Sequence, residues 1–319
     1  MRRRVFGTVI AAAVVAAVAG GSAQQPAAPA GGAPQGEGRR GGGPGGPGGG
    51  GGGRGQAAPP AIKEVKPGLY MVTGLGGNTT VRVANEGLIV VDTKNLGEAN
   101  YNALMEQIRT VSKAPVRYVF ITHHHQDHSG NIGPFQAAGA EVIVHEGLNK
   151  ALDTYKAAQG TPEKSKVTYG TNRTVKVGNA SATGHFFGRA HTSGDTWVYF
   201  PDVRVIATGD SFVATAPNAD YPFGGSVVEW VRTLDQVLKL DFDTAIPGHG
   251  NDPLTKADVQ KFRDNLNTIV TRGRELVKKG TPKDQLMAQL KTDDLGWTLN
   301  PGQWNQPARL DPFYEELSK

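Results

Sequence analysis

From Ile62 onward the chain alternates short apolar runs with turns rich in glycine and asparagine. Short runs of apolar and β-branched residues are typical of β-strands, and Gly-Gly-Asn and Asn-Glu-Gly turns separate the first three of them. The pattern predicts strands at residues 68–73, 79–84, 87–91, 116–122, 142–145, 173–177, 182–187, 196–200, 203–208 and 243–246.

Apolar residues spaced three and four positions apart predict helices between and after these strands. The clearest stripes run from Tyr101 to Val111 and from Val227 to Leu238, and Pro282 is expected at the first position of the last short helix. The elements fall into two successive β-rich halves, which suggests two sheets with helices outside, an α/β layered domain. The predicted helices lie at about 97–112, 131–138 and 147–158 and behind capping signals at 226–229, 255–258 and 281–284.

Charge is distributed unevenly along the 319 residues. Residues 1–60 carry six arginines against Glu37 and so account for the whole net charge of +5, which leaves 28 basic and 28 acidic residues in 61–319. A basic surface for nucleic acid is therefore disfavoured, and no nucleic-acid partner is expected. The complete lack of cysteine excludes disulfides, thiol nucleophiles and thiolate metal sites.

The first 60 residues have the composition of a leader followed by a linker. Three arginines, an apolar run over 5–19 and small residues up to Ala23 predict a signal peptide at 1–23, since a membrane anchor requires about 20 apolar residues. We expect its removal without stable membrane insertion, and export by a Sec or Tat route to the periplasm or medium. Residues 24–60 are Gly- and Pro-rich and predict a disordered linker, so an RNA-binding role for Arg-Gly-Gly at 40–42 is disfavoured.

Four of the eight histidines lie within six residues, as His123, His124, His125 and His128 with Asp127 between the last two. The cluster directly follows the strand at 116–122 and so occupies a loop at the strand's carboxyl end. In an extended loop His123 and His125 point to the same side, and Asp127 and His128 can face a second centre. Imidazoles and a carboxylate without thiol suit zinc and also tolerate iron or manganese. The competing interpretation is a solvated histidine-rich loop.

Three more residues of ligand type recur downstream, each at a predicted strand end and close to glycine. His191 precedes the strand at 196–200, Asp210 follows the strand at 203–208, and His249 follows Pro-Gly after the strand at 243–246. A solvated loop does not explain this recurrence, so we favour a metal site.

Taken in chain order, the motifs resemble those of the metallo-β-lactamase superfamily. They are His-x-His-x-Asp-His at 123–128, Gly-x-x-His-Thr at 188–192, Gly-Asp at 209–210 and Pro-Gly-His-Gly at 247–250, with Asp92 ending an earlier strand. The resemblance covers about residues 68–250. It implies an αββα four-layer sandwich, with two central mixed sheets and helices outside, and a hydrolase domain over 61–319.

The resemblance also implies a site for two divalent metal ions, most readily Zn²⁺, with Fe or Mn as alternatives. Asp92 would support the base of the site, whereas His124 and Gln126 occupy variable positions of the motif and receive no ligand role. The implied ligands are His123, His125 and His191 for the first metal, Asp127, His128 and His249 for the second, and Asp210 as the bridge.

The activity that follows is hydrolysis of a small molecule by a hydroxide between two metals, with Asp127 as the catalytic residue that orients the water or collects its proton. Zinc β-lactamases with a thiolate ligand place Cys where Asp210 stands, and the others lack the bridging Asp. We therefore expect attack on an ester, lactone, thioester or amide-type carbonyl. The alternatives are a phosphodiesterase, which the balanced charge of 61–319 disfavours, β-lactamase activity, and a non-hydrolytic periplasmic accessory metalloprotein.

Residues on the substrate side are less well defined by the sequence. His185, Tyr221 and the turn at 74–78 are candidates, and packing explains each equally well or better. Asp220, Trp297 and Trp304 carry no signal that differs from packing. The stretch after 290 shows no periodicity and is expected to cover one edge of the domain. The oligomeric state is left open.

Overall fold

The computed structural model describes residues 59–319. The predicted leader at 1–23 and nearly all of the predicted linker at 24–60 lie outside the described residues. The first sheet has seven strands in the order of the sequence, antiparallel from β1 to β4 and parallel from β4 to β7. They are β1 (Ala61–Lys66), β2 (Leu69–Thr73), β3 (Thr79–Ala84), β4 (Gly87–Val91), β5 (Val116–Phe120), β6 (Glu141–His145) and β7 (Val167–Tyr169).

The second sheet has six strands in the order β13-β12-β11-β10-β9-β8, and its only parallel pair in the described chain is β11 with β12. Both sheets are therefore mixed. The strands are β8 (Asn172–Val177), β9 (Ala180–His185), β10 (Trp197–Phe200), β11 (Val205–Ala207), β12 (Thr244–Ile246) and β13 (Leu254–Thr255).

Helices connect the strands and close the outer faces of both sheets. Single turns of 3-10 helix occur at Gly209–Ser211, Tyr221–Phe223, Lys283–Gln285 and Asp293–Leu295. The α-helices of the described part are α1 (Glu98–Val111), α2 (Gln126–Ser129), α3 (Ile132–Ala137), α4 (Glu146–Ala151), α5 (Val227–Val237), α6 (Lys256–Lys278), α7 (Leu286–Gln289), α8 (Pro301–Trp304) and α9 (Pro307–Leu317).

The alternation of side chains along the central strands creates four layers. In β4, Leu88 and Val90 pack with Leu104 of α1, whereas Ile89 and Val91 face the other sheet. Both faces of this strand are covered, which explains its unbroken apolar run. In the second sheet Val198 and Val205 meet the first sheet, and Trp197 and Ile206 pack beneath α5 and α6. The αββα sandwich with two mixed sheets is confirmed.

Several predicted boundaries shift in the structure. The strand expected to reach Thr122 ends at Phe120, and the helix expected at 147–158 covers only Glu146–Ala151. The short strands β1, β7 and β13 were not predicted. Pro282 precedes a 3-10 turn and is not the first residue of a helix, so that prediction was wrong.

The capping signals at 226–229 and 255–258 each precede a helix, as predicted, but only one of them forms a complete capping box. Thr255 and Asp258 form a full reciprocal capping box at the start of α6. Ser226 accepts a hydrogen bond from the Glu229 backbone N–H at 3.0 Å, but the Glu229 carboxylate turns away to bind Arg189. The second box is therefore only half formed.

The stretch after residue 290 forms two helices that pack on the outer helical layer. Trp304 of α8 and Phe313 of α9 contact each other with ring centroids 5.4 Å apart, and both belong to the apolar cluster built by α5 and α6. Within residues 59–319, no helix combines the length and the apolar character needed to cross a membrane.

Candidate metal centre

The first group of donor atoms lies where β5 ends and where the loop before β10 passes over it. Nε2 of His123 and Nε2 of His191 each lie 3.1 Å from Nδ1 of His125. Three imidazole nitrogens thus converge on one point. Bonds of 2.0–2.1 Å from a tetrahedral Zn²⁺ place ligand nitrogens about 3.3 Å apart, so the spacing suits one ion.

A second group of donor atoms lies beside the first. Nε2 of His249, in the loop after β12, is 3.3 Å from Nε2 of His128 and 3.2 Å from Oδ2 of Asp127. Asp127 and His128 belong to α2, the short helix that turns the chain away from β5. These residues again satisfy the spacing of a metal site, and His249 is its most open member, with a side chain 45% exposed.

Asp210 lies between the two groups, in the 3-10 turn that follows β11. Its Oδ1 is 3.2 Å from Nε2 of His128 and 3.3 Å from Nε2 of His249, while its Oδ2 faces Nε2 of His191 at 3.9 Å. Oδ1 is buried and forms no hydrogen bond of acceptable geometry with the described residues. The two imidazole nitrogens nearest to it are thus poorly oriented as hydrogen-bond donors, whereas an ion between these atoms would satisfy the buried oxygen.

The two groups differ in their electrostatics. Burial, together with repulsion from the neighbouring imidazoles, lowers the pKa of His123 well below its ordinary value and lowers the pKa of His191 to about 4. Both rings are therefore neutral at pH 7 and present free lone pairs, which is the form that binds a metal.

In the second group, carboxylates reverse this effect. Burial opposes protonation of His128 and His249, but Asp127 and Asp210 outweigh it: the pKa of His128 rises well above its ordinary value and that of His249 rises to about 9. Burial also opposes ionisation of Asp127, yet the positive charge on His128 lowers its pKa to about 2. Without metal, the protons on His128 and His249 therefore supply the positive charge beside the two carboxylates.

Asp92 supports the base of the site, where the sequence predicted it. Its Oδ2 lies 2.7 Å from Nδ1 of His128, and its two oxygens accept hydrogen bonds from the backbone and hydroxyl of Thr122, both at 2.7 Å. A carboxylate on the far nitrogen of a histidine fixes both the tautomer and the ring direction.

The corresponding partner of His125 is Asp220, which the sequence analysis attributed to packing. Its Oδ2 lies 2.8 Å from Nε2 of His125. Two positions earlier, the backbone carbonyl of Asn218 is the partner of Nδ1 of His191. Both residues lie in an irregular loop with no motif, so no sequence signal distinguishes them.

His124 and Gln126 point away from the convergence points, in agreement with the absence of a predicted ligand role. Gln126 bonds Gln159 at the surface. His124 is buried against Tyr155 and Phe223, and burial lowers its pKa to about 3. With Nε2 of His125 and the carboxylate of Asp220 it forms a third donor group, and its Nε2 lies 3.9 Å from Oδ2 of Asp220.

The turn at 74–78 borders the site and is more than a tight turn. A Cβ on Gly77 would lie 2.1 Å from Cε1 of His128, so only glycine lets the buried ring occupy its position. Asn78 donates from Nδ2 to the carbonyls of Pro247 and Gly250, both at 3.0 Å, and so holds the His249 loop.

The other two substrate-side candidates are packing residues. The Tyr221 hydroxyl lies 2.9 Å from Oε2 of Glu316 and accepts a hydrogen bond from the Val227 backbone N–H at 3.3 Å. His185 stacks on Phe187 at 4.9 Å. His185 also belongs to none of the donor groups of the described chain.

The motifs, the two donor groups and the sandwich are those of one family, and the comparison with known sequences decides the assignment. The sequence model of the metallo-beta-lactamase superfamily matches residues 72–249. The chain belongs to the metallo-β-lactamase superfamily. Its enzyme class is therefore that of the metal-dependent hydrolases, as predicted. Superfamily members bind divalent metals, typically zinc, and the His and Asp clusters fit such ions.

Curated relatives are distant. The chain is 26% identical over 186 residues to the 2,4-dinitroanisole O-demethylase subunit alpha of Nocardioides sp. (strain JS1661), a match that covers 58% of this chain and 54% of that protein. It thus spans about half of that relative's length. It is 24% identical over 196 residues to a metallo-beta-lactamase type 2 of Elizabethkingia meningoseptica, which covers 58% of this chain and 76% of the relative.

A solved structure agrees on the fold. The metallo-beta-lactamase from Pontibacter korlensis superposes with a TM-score of 0.57 at 19% sequence identity, over 65% of this chain and 99% of that one. At this identity the likeness concerns the sandwich alone.

Proposed function

We propose that this superfamily member is a dinuclear hydrolase that cleaves an ester, lactone, thioester or amide-type bond of a small molecule. The observation that carries the proposal is the position of Asp210, whose two oxygens face two separate groups of donor atoms. We assign His123, His125 and His191 to the first ion and Asp127, His128 and His249 to the second, with Zn²⁺ as the first choice of metal.

The ions, when bound, supply a water whose pKa is lowered towards about 7 and a positive charge beside the substrate oxygen. Asp127 is the residue placed to handle the proton. Its side chain is 28% exposed at the open side of the site, where a substrate and a water molecule can reach it. We assign Asp127 the role of orienting the attacking water and accepting its proton.

The preference for an acyl substrate over a phosphodiester rests on the balanced charge of 61–319, because a bridging aspartate is compatible with both classes. A phosphodiester substrate is bound through cationic side chains that contact its phosphate, and residues 61–319 have no excess of basic over acidic residues to provide them. The named β-lactamases among the relatives make a β-lactam the second carbonyl substrate to test.

The test combines metal analysis with a substrate panel. We expect two metal ions per chain in wild type and about one or fewer in Asp210→Ala, with activity on at least one ester, lactone or thioester in wild type alone. Asp241→Ala is the matched control, because this exposed aspartate only pairs with Arg204 at 2.9 Å. Equal metal content in Asp210→Ala and wild type would disprove the bridge.

The panel also separates the alternatives. A fully loaded wild-type protein that hydrolyses nothing would favour the accessory metalloprotein, and activity on bis(4-nitrophenyl) phosphate alone would favour the phosphodiesterase. Cleavage of a cephalosporin alone would identify a β-lactamase.

We also propose that the chain is exported, on the strength of residues 1–23. N-terminal sequencing of the protein from its native host should begin at Gln24. Recovery of the protein with an intact Met1 from the cytoplasm would contradict export.

A further inference from the structure

Two of the three histidines of the first group depend on one short stretch of chain, Asn218 to Asp220, here named the 218–220 segment. The Asn218 carbonyl is the partner of Nδ1 of His191, and the Asp220 backbone N–H donates to the His191 carbonyl at 2.7 Å. The Asp220 carboxylate, as described, holds His125 at 2.8 Å. A displacement of this segment therefore moves both rings.

The 218–220 segment has little secondary structure of its own to fix it. It lies between the 3-10 turn Gly209–Ser211 and the turn Tyr221–Phe223, in chain that joins no strand ladder. Its own local hydrogen bonds reach only forward, from Phe223 and Gly225 to the Asp220 carbonyl. Its position therefore depends on contacts from elsewhere in the fold.

Those contacts come from the last two helices. Nη1 of Arg309, on α9, donates to Oδ1 of Asn218 at 2.8 Å and also to the Ala219 carbonyl. Nε2 of Gln303, on α8, donates to the same Asn218 oxygen at 2.7 Å. One guanidinium nitrogen thus joins two consecutive residues of the segment.

Arg309 has no other strong partner that would explain its position. Among residues 59–319, no carboxylate oxygen lies within 4.0 Å of its guanidinium, in contrast to Arg272, which pairs with Asp294 at 2.6 Å. The side chain is half-buried, and its guanidinium group donates its hydrogen bonds to the 218–220 segment. Burying a cation without a carboxylate partner costs free energy, which the hydrogen bonds to the segment offset.

From these contacts we propose that Arg309 is a positioning residue for the first metal ion: it fixes the 218–220 segment and, through it, the rings of His191 and His125. The inference rests on the proposed metal site. Arg309 lies beyond residues 72–249, so the device belongs to the part of the chain that the superfamily match does not reach.

The test measures metal binding by metal-free full-length protein, in competition with a chromophoric chelator. We expect Arg309→Met to weaken one of the two zinc affinities by about tenfold, the lower end of the range for residues that orient ligands, and to leave the other unchanged. The visible spectrum of Co²⁺ at the first site should change as well. Arg309→Lys should recover part of the loss, since an ammonium also donates hydrogen bonds and keeps the positive charge, but its flexible stem is less pre-organised than the guanidinium.

Arg272→Met is the matched control, because Arg272 donates to the Lys291 carbonyl at 2.7 Å and to Asp294 without touching the 218–220 segment. It should leave both affinities unchanged. Gln303→Leu provides a second, milder variant if Arg309→Met does not fold, with the same selective loss expected.

The outcomes separate this inference from the proposed function. Two unchanged affinities in Arg309→Met, or equal losses at both sites, would overturn the positioning role while leaving the dinuclear site in place. A wild-type protein that binds no metal would overturn the proposed function and this inference with it.

Discussion

At the scale of single residues, two carboxylates outside the ligand set determine where two histidines point. Asp92 holds His128 at 2.7 Å from behind the second group, and Asp220 holds His125 at 2.8 Å from behind the first. Each group thus has one histidine whose tautomer is fixed by a charged partner. The nitrogen that faces the convergence point is thereby left free to bind a metal.

Glycine at position 77 is as important to the second group as any ligand. Gly77→Ala would place a methyl group 2.1 Å from the His128 ring, which is fully buried and has no free space to enter. We expect a loss of about 1–3 kcal/mol in the free energy of unfolding, measured by urea denaturation, and a weaker second metal site.

Gly170→Ala is the control for this substitution, because no atom lies within 4 Å of the added Cβ. Its effect should stay within about 0.5 kcal/mol. Equal effects of the two substitutions would show that His128 has room to move.

The opposite pKa shifts of the two groups predict different pH dependences of metal binding. His123 and His191 are neutral above about pH 6.5, so the first ion displaces no proton from them. The second ion must displace protons from His128 and His249, whose pKa values are raised. We expect the second affinity to rise at least tenfold per pH unit between pH 6.5 and 8.5, and the first to stay nearly constant.

Chelator competition at three pH values measures both affinities, and a pH electrode in weak buffer measures the protons released.

The same histidines should make the free energy of unfolding of the metal-free protein depend on pH. The pKa of His249, raised to about 9, gives stability that is complete below about pH 6.5 and lost as the pH rises through 9. The pKa of His191, lowered to about 4, removes stability as the pH falls from 6.5 to 4. A stability that increases steadily up to pH 9 would contradict these assignments.

The residues that the sequence could identify are those that belong to motifs. The seven residues predicted as ligands fall into two groups whose donor atoms lie within 4.8 Å of one another: His123, His125, His191 and Asp210 in one, and Asp127, His128 and His249 in the other. Asp220 and Arg309 could not be found in this way. They act through hydrogen bonds to residues far away in the sequence, and such contacts leave no local pattern.

At the scale of elements, the sequence predicts best those that carry their own periodicity or caps. α5 and α6 start within a residue of their capping signals because a side chain satisfies the first free N–H groups locally. β1 and β13 were missed because each is an edge strand defined by its neighbour. α8 and α9 were missed because their three prolines and short lengths hide the helical spacing.

The helix α9 also explains why Tyr221 is not a substrate residue. Its hydroxyl joins the turn Tyr221–Phe223 to Glu316 and to the first residue of α5. We expect Tyr221→Phe to lower the free energy of unfolding by about 1 kcal/mol, since one buried hydrogen-bonded hydroxyl is lost, and to change kcat/KM by less than about twofold.

Steady-state kinetics on whichever substrate the panel identifies, together with thermal denaturation, would measure both effects. A large drop in kcat at unchanged stability would instead restore the oxyanion-binding role that the sequence left open for this tyrosine.

At the scale of the whole molecule, three apolar clusters fill the spaces between the four layers. The donor groups lie at strand ends, beside the core. The fold was predictable from the order of strands and helices because each layer buries an apolar face of the neighbouring layer, and the sequence pattern shows these faces.

Metal removal should therefore loosen the protein without unfolding it. We expect EDTA treatment to leave the far-ultraviolet circular dichroism unchanged and to lower Tm by about 10–20 °C, because each of the two sites, held at 100 times its Kd, contributes about 2.7 kcal/mol. Addition of Zn²⁺ should restore Tm, and addition of Mg²⁺, which avoids histidine, should not. Loss of all secondary structure on chelation would contradict the separation of core and site.

The ligands span the chain from His123 to His249 and come from loops of both sheets. Two ions bound to these ligands and to Asp210 would therefore cross-link the two sheets, and the sheets could not separate until metal ligands dissociated. This consequence concerns rates: the metal-loaded protein should unfold slowly, and its lifetime against proteases should follow the rate at which ions escape.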